Sequence, residues 1–131
     1  MIRALFLCAL LCSAAGTASG QQLSPDAFLD RADQRTLTFE LFPSGGVVGV
    51  EQFLSRSRTV WATPDGTCTY GQIDIRGPQV CFIYEDLPTP EHCWIPFDQQ
   101  GLLVLVSPKM DMQKITDVTN APVICEDAAL S

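Results

Sequence analysis

The segment RTVWATPDGTCTYGQIDI, residues 58–75, decides the fold. Two stretches rich in β-branched and aromatic residues, 58–62 and 67–75, flank Thr63-Pro64-Asp65-Gly66. Proline presets the backbone of one turn position and glycine accepts the positive φ of another. The segment therefore predicts two antiparallel strands joined by a tight turn.

The chain on both sides of this hairpin repeats the pattern of short strands and turns. Residues 35–41 alternate Leu37, Phe39 and Leu41 with polar residues, which is typical of a strand with one buried face. Further strands are predicted at 47–54, 79–84, 92–97 and 102–106, with candidate edge strands at 115–118 and 123–125. Gly49 indicates a bulge or a close backbone approach. About seven strands with short links predict a mainly β protein, an antiparallel meander that forms a small barrel or sandwich.

One short N-terminal helix is predicted ahead of the strands, ending near Ala32. Ser24 can accept a hydrogen bond from the first turn, and Pro25 suits the first helical position, where its missing N–H would be unpaired in any case. Phe28, Leu29 and Ala32 fall on one face of this helix. We expect that face to lie on the sheet or to close one end of it.

The first twenty residues have the features of a cleavable signal peptide. Arg3 supplies a positive start, an apolar run covers residues 4–12, and Ala18-Ser19-Gly20 fits the small-residue cleavage pattern. The run is too short to span a bilayer, and a leucine precedes each of its cysteines where a lipoprotein signal needs a small residue. We expect residues 1–20 to be removed, leaving a single periplasmic or secreted domain, residues 21–131, without membrane insertion.

The acidic composition argues against two classes of partner. Removal of the signal segment changes the formal net charge from −7 to −8, because the segment carries one arginine and no acid. Nucleic acids and anionic membrane surfaces are bound mainly through Lys and Arg side chains that neutralise phosphate. Neither is an expected partner, and we expect a monomer whose charge keeps it in solution.

The cysteines that remain after cleavage are Cys68, Cys81, Cys93 and Cys125. An even number in a small exported chain predicts two disulfides, and the lack of a C-x-x-C motif argues against a zinc site. If strands 79–84 and 92–97 form a hairpin, Cys81 lies nearly opposite Cys93, whereas Cys68 faces residues beyond that hairpin strand. The predicted pairs are Cys81–Cys93 and Cys68–Cys125, and the second pins the C-terminal tail to the sheet.

A series of short motifs follows along the chain: Gly49-Val50-Glu51, Val60-Trp61-Ala62, Cys68-Thr69-Tyr70-Gly71, Cys81-Phe82-Ile83-Tyr84-Glu85 and Cys93-Trp94. As a set they resemble a type of small exported protein of alphaproteobacteria, and the likeness spans most of residues 21–131. The resemblance implies export and a compact β domain, and it assigns neither a function nor a catalytic residue. One position departs from the pattern, since a tryptophan is expected after Gly71 and this chain has Gln72.

Acidic, basic and aromatic residues in these motifs and strands are the candidates for a binding site. In chain order they are Glu51, Arg58, Trp61, Tyr84, Glu85 and Trp94. In a purely structural interpretation, Glu51 is buried and hydrogen-bonded to Arg58 or Tyr84, while the aromatic residues fill the core. In a functional interpretation, the same residues form a polar and aromatic cluster in the barrel mouth that binds a ligand. The sequence leaves both open.

Other patterns give alternative hypotheses. Glu51 or Glu85 would serve as the base of a cell-envelope enzyme, although they lie in different strands. His92 with Met110 and Met112 would form a soft-metal site for copper, with apolar packing of the methionines as the structural interpretation. Arg56 and Arg58 would face one way in an extended segment and bind an anion, or mark a solvated strand end.

Taken together, these patterns predict an exported, non-catalytic β domain without a cofactor. We expect it to bind a small ligand or a cell-envelope protein through its barrel mouth or an aromatic face. The envelope enzyme and the copper binder are the alternatives.

Overall fold

The computed structural model describes residues 20–87, 89 and 92–126. The predicted signal segment, up to residue 19, lies outside the described residues, as do 88, 90, 91 and 127–131. The described part contains one helix and nine strands: β1 (Gln21–Gln22), α1 (Pro25–Ala32), β2 (Thr36–Leu41), β3 (Val47–Phe53), β4 (Arg58–Ala62), β5 (Cys68–Arg76), β6 (Gln79–Tyr84), β7 (His92–Gln99), β8 (Leu102–Val106) and β9 (Met112–Thr119).

Strands β2 to β9 form a closed antiparallel barrel of eight strands. Each strand pairs with the next one along the chain, and β9 returns to pair with β2, where Thr36 lies opposite Thr119 and Leu41 opposite Gln113. The short β1 adds to the edge of β7. The predicted meander is confirmed, and it closes as a barrel.

The C-terminal part of the chain differs from the prediction. Residues 115–118 belong to the longer strand Met112–Thr119, which is not an edge strand, because it pairs with both β2 and β8 and closes the barrel. Residues 123–125 are not a strand. They are held instead by a hydrogen bond from Val123 N to Gln52 Oε1, 3.1 Å, and by the disulfide of Cys125.

The turn between β4 and β5 has the predicted chemistry. Asp65 Oδ1 accepts hydrogen bonds from the Thr63 hydroxyl and from Thr67 N. Gly66 has a φ of 88°, a region that favours glycine. The two strands leave this turn in register, with Ala62 opposite Cys68.

Helix α1 closes one end of the barrel, as its apolar face predicts. The Ser24 hydroxyl caps it by accepting a hydrogen bond from Ala27 N at 3.1 Å. Phe28 is fully buried, and its ring lies edge-on to Phe53 with the ring centroids 6.0 Å apart. Since Phe53 ends β3, α1 covers the end of the barrel where β3 ends and leaves the opposite end uncovered by the helix.

Both predicted disulfides are present. Cys81 and Cys93 lie directly opposite each other on β6 and β7, with Cα atoms 4.0 Å apart. Cys68 at the start of β5 is bonded to Cys125. The second bond fixes the tail to the sheet next to the β4–β5 turn, where Glu126 N also donates a hydrogen bond to Gly66 O at 3.1 Å.

Candidate ligand-binding site

A cavity of about 330 Å³ lies at the end of the barrel opposite α1. The strand register brings the ends of β4 and β6 and the starts of β3, β7 and β9 to this end. The wall is mostly apolar and aromatic. The lining residues are Phe39, Val48, Glu51, Trp61, Thr63, Phe82, Tyr84, Leu87, His92, Trp94, Leu105 and Gln113.

Two glycines, on the strands β3 and β5 that flank β4, make room for the large aromatic rings of the wall. A Cβ at Gly49 would lie 2.7 Å from the Ala62 carbonyl oxygen and closer still to the Trp61 ring. A Cβ at Gly71 would lie 2.8 Å from the Tyr84 ring and 3.0 Å from the Thr59 hydroxyl oxygen. These contacts are far shorter than normal carbon packing. The close approach predicted at Gly49 is therefore confirmed, and Gly71 has the same role for Tyr84.

Glu51 is a buried acid on the cavity wall. Its side chain is 1% exposed, and the Tyr84 hydroxyl donates a hydrogen bond to its Oε2 at 2.8 Å. The other oxygen, Oε1, has no hydrogen-bond partner within the described part of the chain, and the same holds for the buried Thr59 hydroxyl. Buried polar groups are usually paired. The carboxyl therefore has an unused acceptor beside an apolar cavity.

Burial determines the ionisation of this carboxyl. It raises the pKa of Glu51 from 4.5 to about 7, because the charged form is poorly solvated there. The Thr59 and Tyr84 hydroxyls partly offset this rise. The Thr59 hydroxyl lies near enough to favour the charge, yet its geometry falls short of a hydrogen bond. Glu51 thus changes its charge near neutral pH.

Tyr84 is held as a neutral donor. Burial raises the pKa of its hydroxyl above the ordinary value of 10, and the negative charge of Glu51 raises it further. Its ring stacks on Phe82 at 6.3 Å between centroids and contacts the His92 ring at 5.5 Å. Tyr84 therefore joins Glu51 to the aromatic wall.

The structure brings four of the six predicted binding residues together. Glu51, Trp61, Tyr84 and Trp94 all line the cavity. The predicted hydrogen bond between Glu51 and Tyr84 is present, and so is a cavity in the barrel mouth. The structural and functional interpretations of the sequence therefore apply to the same residues.

Arg58 and Glu85 lie outside the cavity. Thr59 and Trp61 lie opposite Phe53 and Glu51 and point into the barrel. Arg58 lies on the other face of β4, so its side chain projects outward and is exposed. Arg58 therefore does not bind Glu51, contrary to one of the predicted pairings. Glu85 is exposed beyond the end of β6 and is not among the residues that line the cavity.

The hypothesis of an anion site at Arg56 and Arg58 fails on geometry. Residues 54–57 form a bend rather than an extended segment. Arg56 instead binds the helix, with its guanidinium 2.7 Å from Asp30 Oδ1 and 3.2 Å from Asp26 Oδ1. Arg56 holds the β3–β4 turn against α1, which is a structural contact.

The copper hypothesis receives no support from the backbone. Met110 has a φ of 69° and lies in an exposed turn, so Met110 and Met112 do not share one side of an extended chain. The described residues contain no cluster of three or more His, Cys, Asp or Glu side chains arranged to hold a metal ion. His92 lines the cavity instead.

Several cavity residues were not singled out from the sequence. Phe39 lies on the buried face of β2, which the alternation shows, but nothing in that pattern indicates a cavity. Leu105 and Gln113 come from β8 and β9, and they reach the cavity only because β9 closes the barrel. Gly71 could have been found as the glycine opposite Tyr84, had the register of β5 and β6 been known.

Comparison with known proteins gave no match: no family model, no curated protein and no solved structure is similar to the chain. Within the described residues, no helix has the length and apolar character needed to cross a membrane. The two disulfides indicate an oxidising environment outside the cytoplasm.

Proposed function

We propose that this chain is an exported, non-catalytic binding protein that holds a small, largely apolar ligand in the mouth of its barrel. The observation that carries the proposal is the cavity itself, which combines aromatic walls with one buried and half-paired carboxyl. Sites for small molecules are typically concave and apolar, with a few polar groups that orient the ligand.

The volume of the cavity supports a compact ligand. At about 330 Å³ it lies near the lower end of the range of roughly 300–1,000 Å³ typical of small-molecule sites. A molecule of one to three rings or a short branched chain fits this space, and a polymer could place only one unit in it.

Exposed apolar side chains near the mouth also support an apolar ligand. Leu41 and Val47 flank the β2–β3 turn and are 48% and 49% exposed, and Leu87 on the cavity wall is 57% exposed. These residues give an apolar molecule a favourable surface on its way to the cavity.

Export is part of the proposal. The signal-peptide features of residues 1–20 and the two disulfides support it, since disulfides persist in oxidising compartments.

Fluorescence tests the binding directly, because the chain has two tryptophans and both line the cavity. The neutral fluorophore N-phenyl-1-naphthylamine should quench tryptophan emission of the mature protein and saturate at one site. The variant Val48→Phe places a larger side chain on the cavity wall, and we expect it to weaken probe binding about tenfold, roughly 1.4 kcal/mol.

Val118→Phe is the matched control, because it makes the same substitution at an exposed site at the other end of the barrel. The control should bind the probe as the unmodified protein does. No saturable quenching, or an equal loss in both variants, would contradict the proposal.

A catalytic role for Glu51 is the second candidate. A carboxyl whose pKa is near 7 beside a cavity has the proton affinity of a general base. Turnover of a bound compound that disappears in Glu51→Gln while binding remains would favour this role over simple binding.

A further inference from the structure

The carboxyl on the cavity wall has no counter-charge among the described residues. No Lys or Arg of the described chain forms an ion pair with Glu51, and its Oε1 accepts no hydrogen bond there. A buried carboxylate without a partner is unfavourable. A cationic donor in the cavity would supply both the missing hydrogen bond and the missing charge.

The carboxyl can meet such a donor without any backbone change. The last torsion of a glutamate side chain is broad, so the carboxyl can adjust its orientation towards a donor in the cavity. The Tyr84 hydroxyl stays in place as donor to the other oxygen. Tyr84 thus fixes one oxygen, and the other accepts no hydrogen bond within the described residues.

The aromatic walls favour a positive charge at the same place. Trp61 lies between Phe39 and Tyr84, with ring centroids 5.9 Å and 6.5 Å away, and Trp94 lines the same cavity. The face of an aromatic ring carries a negative quadrupole that attracts cations, most strongly for tryptophan. An uncharged apolar ligand would pack against these rings but would gain nothing from their negative quadrupole.

The surrounding charges act in the same direction. Within the described part of the chain, the titratable side chains that line the cavity are Glu51 from β3, Tyr84 from β6 and His92 from β7. The formal net charge of the whole chain is −7. The field of the protein therefore draws cations and repels anions.

We infer that the ligand is a protonated amine with a compact apolar body, whose ammonium group lies against the aromatic walls and donates a hydrogen bond to Glu51. The inference rests on the proposed function and names the chemical class of its ligand. A quaternary ammonium has no N–H for Oε1, and a carboxylate or phosphate would face the buried acid, so both should bind more weakly.

A matched set of three compounds tests the inference by displacement of N-phenyl-1-naphthylamine from the mature protein. Cyclohexylmethylamine, cyclohexylmethanol and cyclohexanecarboxylate share one ring and differ in charge. At about pH 8, where both the amine and Glu51 are mainly charged, we expect the amine to bind about tenfold tighter than the alcohol. The carboxylate should be the weakest competitor.

Two substitutions test which side chains cause the preference for the amine over the alcohol. Glu51→Gln keeps the shape of the side chain and removes its charge, so the amine should lose its advantage over the alcohol. Trp94→Leu keeps Glu51 and removes one aromatic face, so it should reduce the preference for the amine without abolishing it. Circular dichroism and the remaining probe binding report whether each variant is folded.

The pH dependence provides a readout that needs no variant. Ionised Glu51 is the form that binds an ammonium, so the amine's affinity relative to the alcohol should fall about tenfold or more between pH 8 and pH 5.

Equal affinities for amine and alcohol, with the probe still bound, would overturn the inference and leave the proposed function standing. If neither the probe nor any of the three compounds binds, the proposed function itself fails.

Discussion

The Tyr84 hydroxyl donates a 2.8 Å hydrogen bond to Glu51 Oε2 inside the barrel. This bond joins β6 to β3 across the intervening β4 and β5. Among the described residues that line the cavity, Glu51 is the only acid, and the bond links it to the aromatic wall. Both the stability of the domain and its proposed ligand preference depend on it.

Removal of the Tyr84 hydroxyl should destabilise the protein. Tyr84→Phe keeps the ring and leaves the Glu51 carboxylate without its protein donor, which costs about 1–3 kcal/mol where the carboxylate is charged. The loss should be smaller below the pKa of Glu51, because a neutral carboxyl needs that donor less. Urea unfolding at pH 5 and about pH 8.5 measures the loss of stability at each pH. An equal loss at the two pH values would show that the Tyr84 hydroxyl does not act through the charge of Glu51.

Glu51 should make the protein less stable as the pH rises. Its pKa is about 7 in the folded state and 4.5 as an unperturbed side chain, so the folded state binds more protons between these values. The stabilisation that Glu51 provides is therefore fully present below about pH 4.5 and is lost as the pH rises through 7. The free energy of unfolding should fall by about 3 kcal/mol over this range because of Glu51.

Comparison with Glu51→Gln isolates this contribution from the other titrating groups. The difference in unfolding free energy between the two proteins should change by about 3 kcal/mol between pH 4 and pH 9, to the disadvantage of the unmodified protein at high pH. A difference that does not vary with pH would show that Glu51 does not titrate with a raised pKa.

The glycines beside the aromatic rings should not tolerate a side chain. Gly49→Ala places a methyl group against the Trp61 ring and the Ala62 carbonyl, and such overpacking costs about 1–3 kcal/mol. It should also displace Trp61, so probe binding and tryptophan emission should change. Gly45→Ala is the comparison, because Gly45 has a φ of 82° with open space around it, so its substitution should affect stability alone.

The sequence predicts features that depend on neighbouring residues better than features that depend on residues far apart in the chain. The β4–β5 hairpin follows from Thr63-Pro64-Asp65-Gly66, and the helix start follows from Ser24 and Pro25, since both are local. The cysteine pairs were also predictable, because the Cys81–Cys93 register follows from one hairpin. These features are encoded within short stretches of chain, except for the pair Cys68–Cys125, which follows because these are the two cysteines left over.

Features that depend on barrel closure were not predictable in the same way. Ile115 is the buried residue of β9 and most of the strand is half-buried or exposed, so its hydrophobic pattern is weak although it closes the barrel. Arg58 and Tyr84 are both possible partners of Glu51 from the sequence, because the sequence does not show which side of β4 faces inward. The cavity combines residues from distant strands, and only the closed barrel brings them together.

The two disulfides should differ in their contribution to stability. Cys68 and Cys125 are 57 residues apart and Cys81 and Cys93 are 12 apart, so the first bond restricts the unfolded chain more. Loop-closure entropy assigns about 4 kcal/mol to the first and about 3 kcal/mol to the second. Paired Cys→Ser variants, compared by urea unfolding, should lose stability in this order, and the reverse order would contradict the entropic argument.

The proposed binding of an ammonium group to Glu51 is tested most directly by a ¹³C NMR pH titration of the Glu51 carboxyl, with and without saturating cyclohexylmethylamine. Glu51→Gln assigns the signal. We expect a midpoint near pH 7 in the free protein and a midpoint lower by about one unit or more with the amine, because the ammonium stabilises the carboxylate. A midpoint near the ordinary value of 4.5, or one that the amine does not change, would contradict this expectation.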